Sequence, residues 1–337
     1  MRASMVVRIL FLGLLVNSFV MSMGMAQTVD PLFPSGIPKG FDMGSLLNQP
    51  QGPALDFDNE KIKRSKIKSL TTWQYEASYG KKPGEITKSD GVKMSSATFS
   101  DMGLPLEHIS YNQNGSVFQT VNYVYDSSGY LMESSISSVE EMMNQRILFD
   151  YDEKRFLTAM TSYNRDGSVN VKMEYSYDST GHVLENTMVT PTTGLMNFRV
   201  VYRYDMEGQM AGAVCYDNTE GTIVARSEFT YDQDGWETTS YTRDIQIVER
   251  TRNVYDSNGN IAEVIHYDSD NRVRFRVTNT YDEDGNLLET VNAIPSADMK
   301  ARTTSTYDAN GNVIETVTYN KFDEPVQVVR HAYEYYE

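Results

Sequence analysis

What most restricts the fold of this chain is an internal period of 26 residues. A Tyr-Asp pair, usually with Gly three residues after the Asp, recurs at Tyr125, Tyr151, Tyr177, Tyr204, Tyr231, Tyr255, Tyr281 and Tyr307, with spacings of 26, 26, 27, 27, 24, 26 and 26. Phe99 and Trp73 extend this register toward the N-terminus and Tyr333 extends it the other way, so eleven register points bound ten expected copies. Midway through alternate copies stands a second tyrosine, at Tyr111, Tyr163, Tyr216, Tyr267 and Tyr319, which adds a weaker period of 52. A chain with such a period stacks small units rather than forming one irregular core.

Each unit reads as a β-hairpin. Asp accepts hydrogen bonds from its own chain two residues on and Gly takes positive φ at no steric cost, so D-x-x-G makes a reversal between β-favouring flanks. The repeat-defining triplets are Tyr125, Asp126 and Gly129; Tyr177, Asp178 and Gly181; Tyr204, Asp205 and Gly208; Tyr231, Asp232 and Gly235; Tyr255, Asp256 and Gly259; Tyr281, Asp282 and Gly285; and Tyr307, Asp308 and Gly311. The approach to Tyr281 alternates, with Val273, Phe275, Val277 and Asn279 on its own side and Arg274, Arg276, Thr278 and Thr280 on the other, which predicts one buried and one wet face. The register tyrosines share a side with Val, Phe and Met and are expected in the core, with hydroxyls bonded at the sheet margin. Midpoint turns such as Thr190–Gly194 and Ile294–Asp298 are irregular, and diversity of function would sit there.

A second column is charged. Arg146, Lys172, Arg199, Arg226, Arg250, Arg276 and Arg302 lie five residues before successive register tyrosines, and Glu133, Glu185, Glu263, Glu289 and Glu315 lie eight after others. These predict cross-strand pairs on the solvated side, each worth roughly 0–1 kcal/mol yet useful for fixing register.

The run Tyr123-Val-Tyr125-Asp126-Ser-Ser-Gly129, with its relatives at 175–181 and 202–208, resembles the Y-x-Y-D-x-x-G core of the YD (RHS) repeat family over about residues 67–337. Asn260, Asn286 and Asn312 stand where family members place Arg, and the copies are longer, which marks a divergent, short variant. The resemblance implies a spiralling β-sheet, used in large members as a shell around a toxin or for adhesion. Together with the period it predicts an all-β fold: an array of about ten antiparallel hairpins in a curved or spiral open sheet, since twisted open sheets rarely pass about ten strands without curling. The alternative is a five-bladed propeller of 52-residue units, four strands to a blade.

Outside the repeats, residues 1–26 have the layout of a secretory signal peptide: Arg2 and Arg8, the apolar run Ile9–Val16, and Gly24-Met25-Ala26 before Gln27. That run is too short to span a bilayer and no later stretch is longer, so no permanent membrane anchor is expected. Residues 27–66, with Pro31, Pro34, Pro38, Pro50 and Pro53, are expected to form an extended leader to the repeat domain at 67–337. Removing residues 1–26 leaves 28 basic against 46 acidic side chains, and an excess of 18 negative charges gives no reason to expect nucleic acid as a partner.

Chemistry-bearing patterns are sparse. His108, His182, His266 and His331 are scattered, and no metalloprotease, nucleotide-loop or nucleophile-elbow motif occurs, so neither an enzyme nor a cofactor or metal is expected. Acidic pairs such as Asp232 with Asp234 and Asp282 with Asp284 lack the further ligands of known calcium loops and read as turn residues. Lone Cys215 reads as a small buried hydrophobe. Trp236, directly after Gly235, is the candidate ligand-binding aromatic. The sequence thus predicts an exported, non-enzymatic β-repeat protein of the bacterial envelope or exterior, in periplasm, surface or medium, that binds a protein or carbohydrate or serves structurally. The alternative is an accessory or immunity partner of a larger RHS-type toxin.

Overall fold

The computed structural model describes residues 57–337, apart from residues 83, 141–143, 192–196, 234 and 243–246, with the backbone alone described at 236–242 and 247–249. The signal peptide and the leader as far as residue 56 lie outside the described residues. Of the remaining leader, Asn59–Arg64 forms a short helix, α1, in place of the expected extended chain. Asp58 caps it by accepting a hydrogen bond from the Lys61 amide at 3.0 Å.

Everything after α1 is β-structure. The chain runs from β1 (Ile67–Tyr79) and the short β2 (Ile86–Lys88) through β3 (Val92–Phe99) to β21 (Pro325–Tyr335) in one antiparallel sheet. From β3 onward each strand is hydrogen-bonded to its neighbours in sequence, as a series of hairpins must be. A propeller would divide these strands into separate blades. The ladder crosses every 52-residue boundary without a break, which sets that alternative aside.

The array is curved strongly enough to bring its first and last strands together. β1 pairs with β3 along one edge and with β21 along the other, with Leu70 opposite both Ala97 and Tyr333. This seam corrects the reading of Trp73 as a register point. Ten strands end on or carry a register aromatic, from Phe99 to Tyr333; β1 runs antiparallel to its neighbours among them and takes the place of the strand that would follow Tyr333. The ten copies therefore rest on ten register points, and the N-terminal strand completes the last hairpin.

Both ends of the seam are fastened. At the register-turn end, α1 places Ile62 and Phe57 against Ile67 and Phe99, the Lys61 ammonium donates to the Gly311 carbonyl at 2.6 Å, and Ser65 donates to Asn312 at 3.3 Å. At the other end β2 extends the first hairpin, and Lys88 forms an ion pair with Glu315 of β20 (Val313–Tyr319). The Tyr79 hydroxyl there donates to the Asp323 carbonyl.

Candidate functional site

The register turns share one geometry. In the Tyr281 copy the Asp282 amide donates to the Asn286 carbonyl, the Gly285 amide donates back to the Asp282 carbonyl, and Gly285 takes φ 82°. The Asp282 carboxylate accepts from the amides of Asp284 and Asn286. Asp126, Asp178, Asp205, Asp256 and Asp308 do the same in their copies, with Gly129, Gly181, Gly208, Gly259 and Gly311 in the left-handed position. In the Tyr151 copy Arg155 occupies that position with φ 68°. Hydrogen bonds to the ionised carboxylate hold Asp256 and Asp282 below the usual range, through Asn260 and Asn286 first. Of the residues weighed for calcium, the carboxylates of Asp232 and Asp282 accept amide hydrogen bonds within their turns, Asp234 lies outside the described residues, and among the described residues no group of three or more His, Cys, Asp or Glu is placed to hold a metal ion.

The tyrosine face of the sheet is a ladder of aromatic rings with bonded hydroxyls. Tyr151, Tyr177, Tyr204, Tyr231, Tyr281, Tyr307 and Tyr333 each donate to the first residue of the preceding strand, from Leu131 to Val313, at 2.7–2.9 Å. Burial pushes Tyr177 and Tyr204 up to about 12, so the hydroxyls stay protonated donors. Phe156 stacks on Tyr177 and His182 on Tyr204, at ring separations of 5.0 and 4.6 Å. Cys215 is fully buried here among Phe198, Val200, Tyr202 and Ala213, with its thiol pushed up to about 12 by burial.

The arginine face carries the charged columns. Arg146 grips Glu133 with two hydrogen bonds at 2.9 and 2.7 Å, and Arg199, Arg276 and Arg302 reach Glu185, Glu263 and Glu289 at 3.4, 3.2 and 3.3 Å. The column is not uniform: Lys172 turns to Glu174, Arg226 to Glu228 and Arg250 to Asn271, while Glu315 pairs with Lys88 and Arg330.

Sequence reasoning missed what the midpoint tyrosines do. Tyr163, Tyr216, Tyr267 and Tyr319 lie directly opposite Arg146, Arg199, Arg250 and Arg302 in the ladder, and so on the same face. The guanidinium stands 4.9 Å from the ring centre at Arg199 and Tyr216, 5.2 Å at Arg250 and Tyr267, and 3.8 Å at Arg302 and Tyr319. Lys93 repeats the arrangement over Tyr111 at 4.4 Å. The signal was the coincidence of two periods, 26 for the basic column and 52 for the tyrosines, which sets a basic residue beside a tyrosine in every second copy and makes a cation–π plate at four of the five midpoint tyrosines, Tyr163 being the exception. At the register-turn ends of the strands, away from the plates, Leu106, Met132, Leu184, Leu288 and Ile314 are exposed at the bulges.

One copy departs from this frame. Between Tyr231 and Tyr255 the spacing drops to 24, and the ladder shows where the two residues go. Elsewhere the sixth residue after the register tyrosine pairs with it and a bulge follows, as with Leu287 and Tyr281. Here Trp236, the fifth, pairs with Tyr231 and the ladder continues without a bulge through β14 (Gly235–Thr242). Gly235 accordingly lies in the strand, not in the left-handed turn position expected for it. It is required by close approach, since a Cβ would stand 1.8 Å from the Asn253 carbonyl oxygen. The same shift brings Glu237 opposite Arg252, the ladder position that Glu289 holds opposite Thr304, so Glu237 belongs to the glutamate column. Trp236 is placed by its backbone in this ladder; its side chain lies outside the described residues.

A family model described as "Uncharacterised protein" matches residues 85–250, and a MORN repeat variant model matches residues 303–321. No curated protein matches the chain. Among solved structures, a porin-like protein from Bacteroides uniformis is similar at 10% identity, with 80% of this chain and 97% of that one covered and a TM-score of 0.34. The Photorhabdus luminescens Tc holotoxin pore with a TccC3 mutation is similar at 11% identity over 74% of this chain and 17% of that one, with a TM-score of 0.29. A DUF3836 family protein from Bacteroides vulgatus is similar at 16% identity over 23% of this chain and 88% of that one, with a TM-score of 0.19.

Proposed function

We propose that this chain is an exported, non-enzymatic β-repeat protein, a divergent relative of the YD repeats, whose arginine face binds an extended glycan. The observation that supports this reading is the set of cation–π plates, at Lys93 and Tyr111, Arg199 and Tyr216, Arg250 and Tyr267, and Arg302 and Tyr319. A half-buried tyrosine ring braced by a guanidinium is a rigid amphipathic plate, and the neighbouring glutamate supplies an acceptor for hydroxyl groups. Plates repeated at a fixed interval suit a polymer better than a small molecule, because several weak contacts on one chain multiply. The signal-peptide layout of residues 1–26 supports export, and no helix among the described residues is long and apolar enough to cross a membrane.

Binding of a panel of polysaccharides to the purified protein, measured by co-sedimentation with and without calcium, tests this. Saturable binding that weakens about 3- to 30-fold in Tyr216→Ala and again in Tyr319→Ala is expected from losing contacts of roughly 0.5–2 kcal/mol. Binding that both variants leave unchanged, or that only Trp236→Ala abolishes, would move the site off the plates. No binding to any polysaccharide would remove the glycan reading.

A further inference from the structure

The seam differs from every other junction in the sheet. Elsewhere a hairpin turn joins strands that are neighbours in sequence; at β1 and β21 the partners are about 260 residues apart, and no covalent connection holds them. Nine paired positions make the junction, from Ile67 opposite Tyr335 to Glu76 opposite Gln327. The polar fastenings Lys61 to Gly311, Ser65 to Asn312 and Lys88 to Glu315 also run between the first and last parts of the chain, while Phe57 and Ile62 pack against Phe99 of β3.

The first part is moreover a unit. α1, β1 and β2 follow one another without interruption, and β2 is held to the far end of β1 by the pairs Ala77 with Lys88, Ser78 with Thr87 and Tyr79 with Ile86. Between β2 and β3 there are only three residues, Ser89-Asp90-Gly91. When this unit swings out about that hinge it leaves a slot one strand wide, edged by β3 and β21, each presenting unpaired backbone groups. An exposed pair of edges is a template for another strand. The strand that fits the slot in register, length and side chains is β1 itself.

We infer that the α1–β1–β2 unit is exchangeable, and that the slot between β3 and β21 accepts the same unit from a second copy of this chain. Exchange preserves every contact named above, because each joins the unit to the body and neither partner needs to belong to the same molecule. Ser89 is bonded to Glu76 of β1 in both directions at 3.0 Å and moves with the unit, so only Asp90 and Gly91 must change conformation. The balance is then set by concentration: the tethered unit competes at the effective concentration its hinge provides, on the order of millimolar for short flexible linkers. Short hinges shift such a balance toward exchange, because they are strained when folded back.

The test uses the whole chain carrying Thr71→Cys and Ala332→Cys, whose positions face each other across the seam. Equal amounts of unlabelled and 15N-labelled chain are unfolded together, refolded at about 1 µM and about 100 µM, and oxidised. Expected is a dimer whose ratio to monomer rises about 100-fold with that change in concentration, as mass action requires, with half of its seam disulfides joining labelled to unlabelled chains. Seam disulfides that are intramolecular at both concentrations overturn the inference, as does a dimer that forms without them. The chain without added cysteines gives a second readout by light scattering: deleting Asp90 raises the dimer fraction, and inserting four Gly-Ser residues after Asp90 lowers it. A dimer fraction insensitive to hinge length is equally fatal to it.

Discussion

The tyrosine face is built twice from the same repeat with opposite contents. Across β9 (Val169–Tyr177) to β13 (Ile223–Tyr231) it holds Val171, Met188, Phe198, Val200, Tyr202 and Ala213, all buried in one cluster. Across β17 (Val273–Tyr281) to β21 corresponding positions hold Asn279, Thr290, Thr303, Thr318 and His331, half-buried and joined by hydrogen bonds. Asn279 donates to the Ile261 carbonyl at 2.9 Å and receives from Thr290 at 3.0 Å, Thr303 meets Thr318 at 3.3 Å, and His331 meets Thr72 of β1 at 3.2 Å. The backbone ladder is alike in both. Turn chemistry and strand pairing thus determine the frame, while side-chain burial sets how firmly each half is held.

The largest effect that could break this comparison is a core truncation. Phe198→Ala, in the apolar half, is expected to cost about 3–5 kcal/mol, and Phe275→Ala, half-buried in the polar half, about 1–2 kcal/mol. Urea unfolding of both variants measures the gap, and equal costs would mean that the halves are equally packed. The turns make the complementary prediction. Gly221→Ala and Gly285→Ala, at φ 67° and 82° and with no neighbour closer than 3.7 Å to an added Cβ, should each cost about 1–2 kcal/mol whichever half they sit in, since the penalty is local. Arg155→Gly relieves a left-handed conformation but loses the ion pair with Asp126 and the contact with the Tyr130 ring, so its net effect should stay within about 1 kcal/mol.

Acid sharpens the contrast through two kinds of group. Burial lowers His331, so the folded state resists its protonation. Its stabilising contribution is complete above the usual histidine value, about 6.5, and declines as pH falls through the lower folded value. Amide protection factors in β1 and β21, taken relative to the intrinsic exchange rate at each pH, should therefore fall below about pH 6, and His331→Phe should remove that step. The carboxylates of Asp256 and Asp282 are lowered too, so their contribution is present above about 3.9 and is lost as pH falls through their folded values. Asp282→Asn should flatten that lower limb of the unfolding curve. Smallest is the charged column: Glu289→Gln should cost under about 1 kcal/mol, and less in high salt, because the Arg302 pair is partly exposed and Arg302 also holds Asp323.

Much of the site was legible in one dimension. The 26-residue period placed the turn aspartates, the left-handed glycines, the bonded tyrosine hydroxyls and the basic column, because each depends on a spacing within one hairpin. Three features were not. Gly235 carries the turn motif yet lies in a strand, since whether a bulge follows is decided by the neighbouring strand. The plates needed two columns to be laid side by side. Trp73 kept the spacing of the register while serving as part of the strand that meets β21.

By itself the sequence determined the all-β class, the hairpin unit and which side of each strand turns inward, since backbone φ preference, turn hydrogen bonds and period-two alternation are local. Only the tertiary structure decided that the first strand meets the last. That contact depends on curvature summed over the whole array, a small angle per hairpin that no single repeat encodes.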